Sequence, residues 1–250
     1  MEADTNLSQV VAVETADGSM TLVDEQRNLH YRSRHGAVSE SRYVFLKGTG
    51  LLERDDSWHV AELGFGAAVN FTQTVAAFRD RESVRRLVYH SVDWRPVTAK
   101  HLRFHDAEGG ELARRAVAAV HDDGAREVCI RSDDEAIELH LHAEPWAQVE
   151  LKPNQADAFY FDPFAKRANP KAWTAASFSR ALQAMAPMAR LATYSAATAV
   201  KRAMFAAGFW VASAPGPGRK REMTIASQSR EAMDGLRLLD RQRYLDGEQH

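Results

Sequence analysis

An α/β fold, with a mostly parallel sheet and helices on both faces, is what this sequence predicts. Three observations carry the prediction. Short apolar runs alternate with amphipathic helical stretches from residue 59 onward. A glycine turn, Gly64-Phe65-Gly66, follows the first of those runs and opens onto an Ala-rich helical stretch. The chain has 250 residues, 45% hydrophobic and 26% charged, enough apolar material for one large core and far from the disordered regime.

In chain order, residues 1–58 read as a β-rich or irregular extension. Val10-Val11-Ala12-Val13 and Met20-Thr21-Leu22-Val23 flank the turn signal Asp17-Gly18, whereas residues 31–45 mix polar, Gly and aromatic types without a period. A strand is expected over 59–63 and a helix over 67–78, where Val69, Phe71, Val75 and Phe78 recur at helical steps. Further strands are expected over 87–93, 137–142, 158–161 and 191–194, with helices over 109–121, 175–185 and 197–207. Gly208 stands where the last of these helices must end. Residues 209–211 and 223–226, separated by Pro215-Gly216-Pro217-Gly218, predict a closing hairpin. The division expected is an extension over 1–58, a core domain over 59–227 and a helical tail over 228–250, with Met233, Leu236 and Leu239 on one face.

Lys plus Arg number 32 and Asp plus Glu 34, a net charge of −2, so a globally basic nucleic-acid coat is excluded and only a local basic patch remains. A single cysteine, Cys129, excludes an internal disulfide and a multi-cysteine metal site. His140 and His142 share one strand face but offer only two ligands, so no metal is expected. No apolar run approaches the ~20 residues needed to span a bilayer, and an acidic start without an apolar stretch predicts a cytoplasmic protein.

The strand–glycine turn–helix order is the local geometry of a nucleotide crevice, although an ordinary tight βα turn gives the same pattern. Asp93, at the end of the next strand, adds weight, because an acid there accepts hydrogen bonds from ribose hydroxyls; a loop carboxylate is the plainer alternative. A pyrophosphate would favour a full glycine-rich turn. S-adenosylmethionine carries no phosphate and needs only small residues such as Ala67 and Ala68, so it is favoured over a nicotinamide cofactor. Glu144, just past the third strand, is the expected adenine-side residue, with a solvated loop acid as its alternative. Asp162-Pro163-Phe164 ends an apolar strand at the ligand-binding edge of such a sheet, and a carboxylate emerging there must be hydrogen-bonded or functional. Acid and backbone carbonyls that accept N–H, beside an aromatic wall, suit an amine nucleophile; an Asp capping the next turn is the structural alternative.

These motifs resemble one family. Asp157-Ala158-Phe159-Tyr160-Phe161-Asp162-Pro163-Phe164, followed by Asn169-Pro170 and Trp173, is similar to the fourth-strand signature of the MnmC methyltransferase domain. Ser39-Glu40-Ser41-Arg42-Tyr43-Val44-Phe45, Glu62-Leu63-Gly64-Phe65-Gly66 with Asn70-Phe71, and Gly218-Arg219-Lys220-Arg221-Glu222-Met223 resemble further blocks of that family in the same order. Ala67-Ala68 and Pro163 depart from it, standing for Thr-Gly and for Gly or Ala.

The resemblance implies a class I S-adenosylmethionine-dependent methyltransferase with a Rossmann-like sheet, acting on the 5-aminomethyl group of the tRNA wobble uridine. It implies Asp162, Pro163 and Phe164 at the reacting amine, and Glu62, Gly64, Gly66, Asn70, Asp93, Glu144 and Asp162 around the cofactor. Lys166, Arg167, Arg219, Lys220 and Arg221 are the candidate tRNA contacts. No counterpart of the family's oxidase half is read here, so a stand-alone methyltransferase with a separate FAD oxidase as candidate partner is expected. Two alternatives stay open: an N-methyltransferase of another amine, and a degenerate nucleotide-binding module that serves as an interaction protein.

Overall fold

The computed structural model describes residues 7–217 and 222–246. It opens with a three-stranded antiparallel sheet of β1 (Val10–Glu14), β2 (Met20–Asp24) and β3 (Leu29–His30). Asp17-Gly18 makes the turn between β1 and β2, as its residue types predict, with Gly18 at φ 77°. The same turn caps the helix α1 (Ala37–Ser41): the Ala37 N–H donates to Thr15 Oγ1 and Ser19 Oγ (3.3 and 3.1 Å), and the Ser39 N–H to Asp17 Oδ2 (3.0 Å). These bonds satisfy N–H groups that a helix's first turn leaves without partners. Burial opposes the charge on Asp17, but hydrogen bonds from Ser19, Ser39 and Thr15 outweigh it and hold the carboxyl well below the usual range. Residues Arg42–Lys47 continue α1 as a π-wound turn. A π turn breaks the 3.6-residue period, which is why residues 31–45 look aperiodic in sequence.

The main sheet follows. In chain order its parts are β4 (Asp56–Leu63), α2 (Val69–Arg79), β5 (Val84–Val92), α3 (Glu108–Asp123), β6 (Glu127–Arg131), β7 (Ile137–His142), β8 (Ala156–Phe161), α4 (Ala175–Ala184), β9 (Met185–Thr193), α5 (Thr198–Ala206), β10 (Trp210–Pro215), β11 (Glu222–Ser227), β12 (Arg237–Leu238) and α6 (Arg241–Leu245). The nine strands lie in the order β12-β10-β11-β9-β8-β4-β5-β7-β6. The five from β9 to β7 are mutually parallel, and β10–β11 is the expected hairpin, pairing Trp210 with Ser227.

Three elements differ from expectation. β9 begins at Met185, the last residue of the helix expected over 175–185, rather than at 191. β6 is a further strand, antiparallel to β7, in which short length and charged ends hide the alternation. Residues 229–246, expected to be helical, hold one 3₁₀ turn (Glu231–Met233), a glycine at φ 77° (Gly235), the short β12 and only five residues of α6. The free edge of β10 takes this segment: Ala212 faces Leu238, and the Leu239 N–H donates to Val211 O at 2.9 Å.

β8 explains its continuous apolar run by being buried on both faces. Ala158 and Tyr160 join the layer built on α2 and α3, with Trp58, Phe71 and Tyr89. Phe159 and Phe161 join the layer of α4 and α5, with Phe178, Phe205 and Phe209. A buried Phe contributes about 1.5–3 kcal/mol, so this strand is firmly fixed, and what stands at its end is held in place. Among the described residues, no helix is long and apolar enough to cross a membrane.

Candidate active site

Two neighbouring parallel strands, β4 and β8, deliver the glycine turn and Asp162 to one sheet edge. Leu63 pairs with Phe161, the Asp162 N–H donates to Leu63 O (2.9 Å), and the Gly64 N–H donates to Val92 O (2.9 Å). Gly64 adopts φ 102°, and a Cβ there would lie 2.5 Å from the Asp162 carbonyl oxygen. Glycine is therefore required by both conformation and space. Ala68, where the family resemblance expects glycine, caps α2 at φ 56°, a left-handed conformation that costs an L-residue about 1–2 kcal/mol. The glycine-to-alanine departure keeps the backbone shape and carries that strain.

A cleft at this edge is lined by Tyr31, Arg32, Gly64, Phe65, Gly66, Ala67, Asp162 and Phe164. Among the described residues that line it, Asp162 is the one carboxylate, with a side chain 7% exposed and in close ion contact with the equally buried Arg32. Asn70 Nδ2 donates to Asp162 Oδ2 (3.0 Å) and to Glu62 Oε1 (2.8 Å); its Oδ1 accepts from Ser41 Oγ (2.7 Å). Ser91 Oγ donates to Glu62 Oε2 at 2.7 Å. Glu62 and Asn70, expected around the cofactor, thus stand behind the cleft wall, each about 1% exposed. Their polar atoms are turned inward by α1 and β5, so that they fix Asp162 rather than line the cleft.

Burial pushes the Asp162 carboxyl up, to about 8, with Arg32 pulling it down and the Glu62 and Glu40 charges pushing it further up. Burial likewise raises Glu62 to about 7, against the hydrogen bonds from Ser91 and Asn70. Pro163 is buried, and its carbonyl accepts from Tyr194 Oη at 3.0 Å. The Phe164 carbonyl accepts from Trp173 Nε1 at 2.9 Å, and its ring meets Tyr31 edge-on with centroids 4.9 Å apart. The Asp162–Phe164 loop is thus pinned on both sides.

Asp93 lies just past β5. Its Oδ2 accepts from the Gly66 N–H (3.0 Å) and its Oδ1 from the Arg95 N–H (3.1 Å), so it also shapes the glycine turn. Burial raises its carboxyl, against those backbone bonds. Beyond it, a hollow of about 310 Å³ is lined by Trp94, Arg95, Pro96, His121, Arg126 and Ala143, among others. Glu144 follows Ala143 and pairs with Arg126 at 3.5 Å. Lys166 and Arg167 are exposed on the loop after Phe164. Arg219, Lys220 and Arg221 lie outside the described residues.

Arg32, Tyr31, Ser41 and Tyr194 are site residues that the sequence reading did not single out. Arg32 and Tyr31 come from the aperiodic segment, and no spacing rule joins them to a strand end 130 residues later. Tyr194, at the end of the expected fifth strand, could have been found from the rule that sites gather at the C-terminal ends of parallel strands.

Residues 107–229 match the model of an S-adenosyl-L-methionine-dependent methyltransferase family. The tRNA 5-methylaminomethyl-2-thiouridine biosynthesis bifunctional proteins MnmC of Ralstonia nicotianae and Paraburkholderia xenovorans are 35% and 33% identical over 206 and 207 residues. Those matches cover 79% and 78% of this chain and 31% of each relative, so the chain spans about a third of the length of the curated relatives it matches. MnmC2 from Aquifex aeolicus has the same fold, with a TM-score of 0.68 at 23% identity over 88% of this chain and 70% of that one. Spermidine synthase from Thermotoga maritima shares the fold more distantly, at 0.54 and 13% identity, covering 91% and 72%. The fold is that of a class I S-adenosylmethionine-dependent methyltransferase. Within that class, the chain is similar to a part of the MnmC proteins about a third of their length.

Proposed function

We propose that this protein N-methylates the 5-aminomethyl group of the tRNA wobble uridine, giving 5-methylaminomethyl-uridine or its 2-thio form. The observation that carries the reading is the buried Asp162, held by Asn70 and Arg32 at the strand edge where the glycine turn ends. The MnmC relatives, named for tRNA 5-methylaminomethyl-2-thiouridine biosynthesis, supply the substrate class. Cytoplasmic location, where tRNA is processed, and a separate FAD oxidase as partner belong to the same proposal.

The residues fit the cofactor. Only glycine fits at Gly64, which keeps the backbone open at the cleft. Asp93 accepts backbone N–H groups of the glycine turn and of Arg95, and its carboxylate has further lone pairs for a ribose hydroxyl. The hollow lined by Trp94, Arg95 and Ala143, which follow Asp93 and precede Glu144 in the chain, has the size for an adenine. When bound, S-adenosylmethionine supplies the electrophilic methyl group.

The chain's own residues deal with the amine. An aminomethyl group is largely protonated at neutral pH, and the ammonium form has no lone pair. Asp162, with its proton affinity raised to about 8, is matched to taking that proton near neutral pH. Its carboxylate then accepts an N–H and fixes the direction of the lone pair. Arg32 repels the ammonium form and pulls the proton affinity of Asp162 down, so the neutral amine is the species retained. Phe164 and Tyr31 form the wall for the uracil face, and exposed Lys166 and Arg167 contact phosphates, with Arg219, Lys220 and Arg221 assigned the same role.

The test is transfer of labelled methyl groups to tRNA carrying 5-aminomethyl-uridine, followed by nucleoside analysis. Label in 5-methylaminomethyl-uridine is expected. Label confined to another nucleoside, or transfer only to small amines, rejects the substrate.

A further inference from the structure

We propose a binding site for a borderline-soft divalent cation of the zinc class, formed by Cys129, Glu138 and His140 on the outer strands β6 and β7. The sequence offers only His140 and His142 on one strand, but the sheet register adds the rest. Cys129 pairs directly with His140, and His140 with His90 of β5, so a thiol and two imidazoles stand side by side across three strands. Sγ of Cys129 lies 3.9 Å from Nε2 of His140, which lies 2.6 Å from Oε1 of Glu138; the three ligand atoms fall within 4.8 Å of one another. Ligand atoms about 2.0–2.3 Å from a tetrahedral zinc are about 3.3–3.5 Å apart, so small side-chain rotations convert this cluster into a coordination sphere. Sulfur, imidazole nitrogen and carboxylate oxygen together suit zinc better than magnesium or calcium.

The surroundings prepare each ligand. Glu138 presents Oε1 to the cluster while its Oε2 is held by Arg131 Nε (3.1 Å) and Arg86 Nη2 (3.4 Å), which favours monodentate binding. The Nδ1 of His140 is buried and has no hydrogen-bond partner. With the metal on Nε2, the proton resides on Nδ1, and Glu127 Oε1, at 3.9 Å, becomes its acceptor after a slight shift. The His90 ring stacks on His140 with centroids 4.3 Å apart and blocks rotation of the imidazole out of the site. Access is open, because Cys129 is exposed. Metal binding would displace the proton between His140 and Glu138 and the thiol proton of Cys129, and clamp β6 to β7.

The experiment uses the untagged, chelator-treated protein titrated with Co²⁺ as a spectroscopic stand-in, with Zn²⁺ as competitor and Mg²⁺ as control. One equivalent of Co²⁺ is expected, with a near-ultraviolet thiolate-to-cobalt band that Zn²⁺ abolishes and Mg²⁺ leaves unchanged. C129S should remove the band, and H140Q should weaken binding at least tenfold, with thermal melting confirming that both variants fold. No binding below millimolar metal, no thiolate band, or equal binding by both variants overturns the proposal.

Discussion

Asp162 and Arg32 form the buried ion pair on which the proposed chemistry turns. Breaking a buried ion pair by removing one partner costs several kcal/mol when the remaining charge stays unpaired, but a carboxyl can avoid that cost by taking a proton. In R32M, Asp162 loses the cation that pulls its proton affinity down, while burial and the Glu62 and Glu40 charges remain. The acid limb of kcat/KM, which rises as Asp162 deprotonates, should therefore move to higher pH by about one unit or more. A pH profile measured with tRNA substrate checks this, and a limb that stays where it was removes Arg32 from the mechanism. Arg32 was not legible in the sequence, because an arginine in an aperiodic polar stretch carries no signal of burial.

Strands and helices set how closely the two loops meet. In G64A, the φ of 102° and the 2.5 Å approach to the Asp162 carbonyl both act. A left-handed penalty of about 1–2 kcal/mol and an overpacking cost of about 1–3 kcal/mol place the loss near 2–5 kcal/mol. Urea unfolding measures it, and a loss under 1 kcal/mol would show that the strand ends yield easily. In the N-terminal hairpin, D17A removes an acceptor of an α1 N–H and should cost about 0.5–2 kcal/mol. A melting temperature equal to the parent's would disconnect the hairpin from α1. The parallel strands and the four long helices were legible because each keeps its period over several residues. β6 was not, since its short length and charged ends hide the alternation, nor was the capping of α1 by the turn at Asp17, whose partners Asp17 and Ser39 lie 22 residues apart. The glycine turn, Asp93 and the strand-end Asp162 were readable as a constellation; the inward aim of Glu62 and Asn70 depends on α1 and Ser41.

Titration links these local environments to the stability of the entire fold. Asp162 and Glu62 bind protons more tightly in the folded state, with values near 8 and 7. The folded state therefore holds more protons than the unfolded chain above pH 4, and stability is lost as pH rises through those values. His90, His101, His105 and His142 are lowered by burial, so their contribution is lost only as pH falls below about 6.5. Between pH 6.5 and 8.5 the acids dominate: the urea midpoint should fall, and D162N should flatten that fall. An unchanged slope in D162N would mean that Asp162 is already ionised at pH 6.5. The same variant gives the most direct measurement of the chemistry, turnover of 5-aminomethyl-uridine tRNA at saturating S-adenosylmethionine from pH 7 to 9. Proton transfer by a positioned group typically contributes about 10²–10⁴-fold, and the amide in D162N keeps the size and one acceptor but cannot take a proton. A loss of about a hundredfold or more at pH 7, partly recovered at pH 9 where free amine is abundant, is the predicted result. Turnover within threefold of the parent at pH 7, with normal folding and cofactor binding, would contradict the assignment of Asp162 as the group that receives the amine.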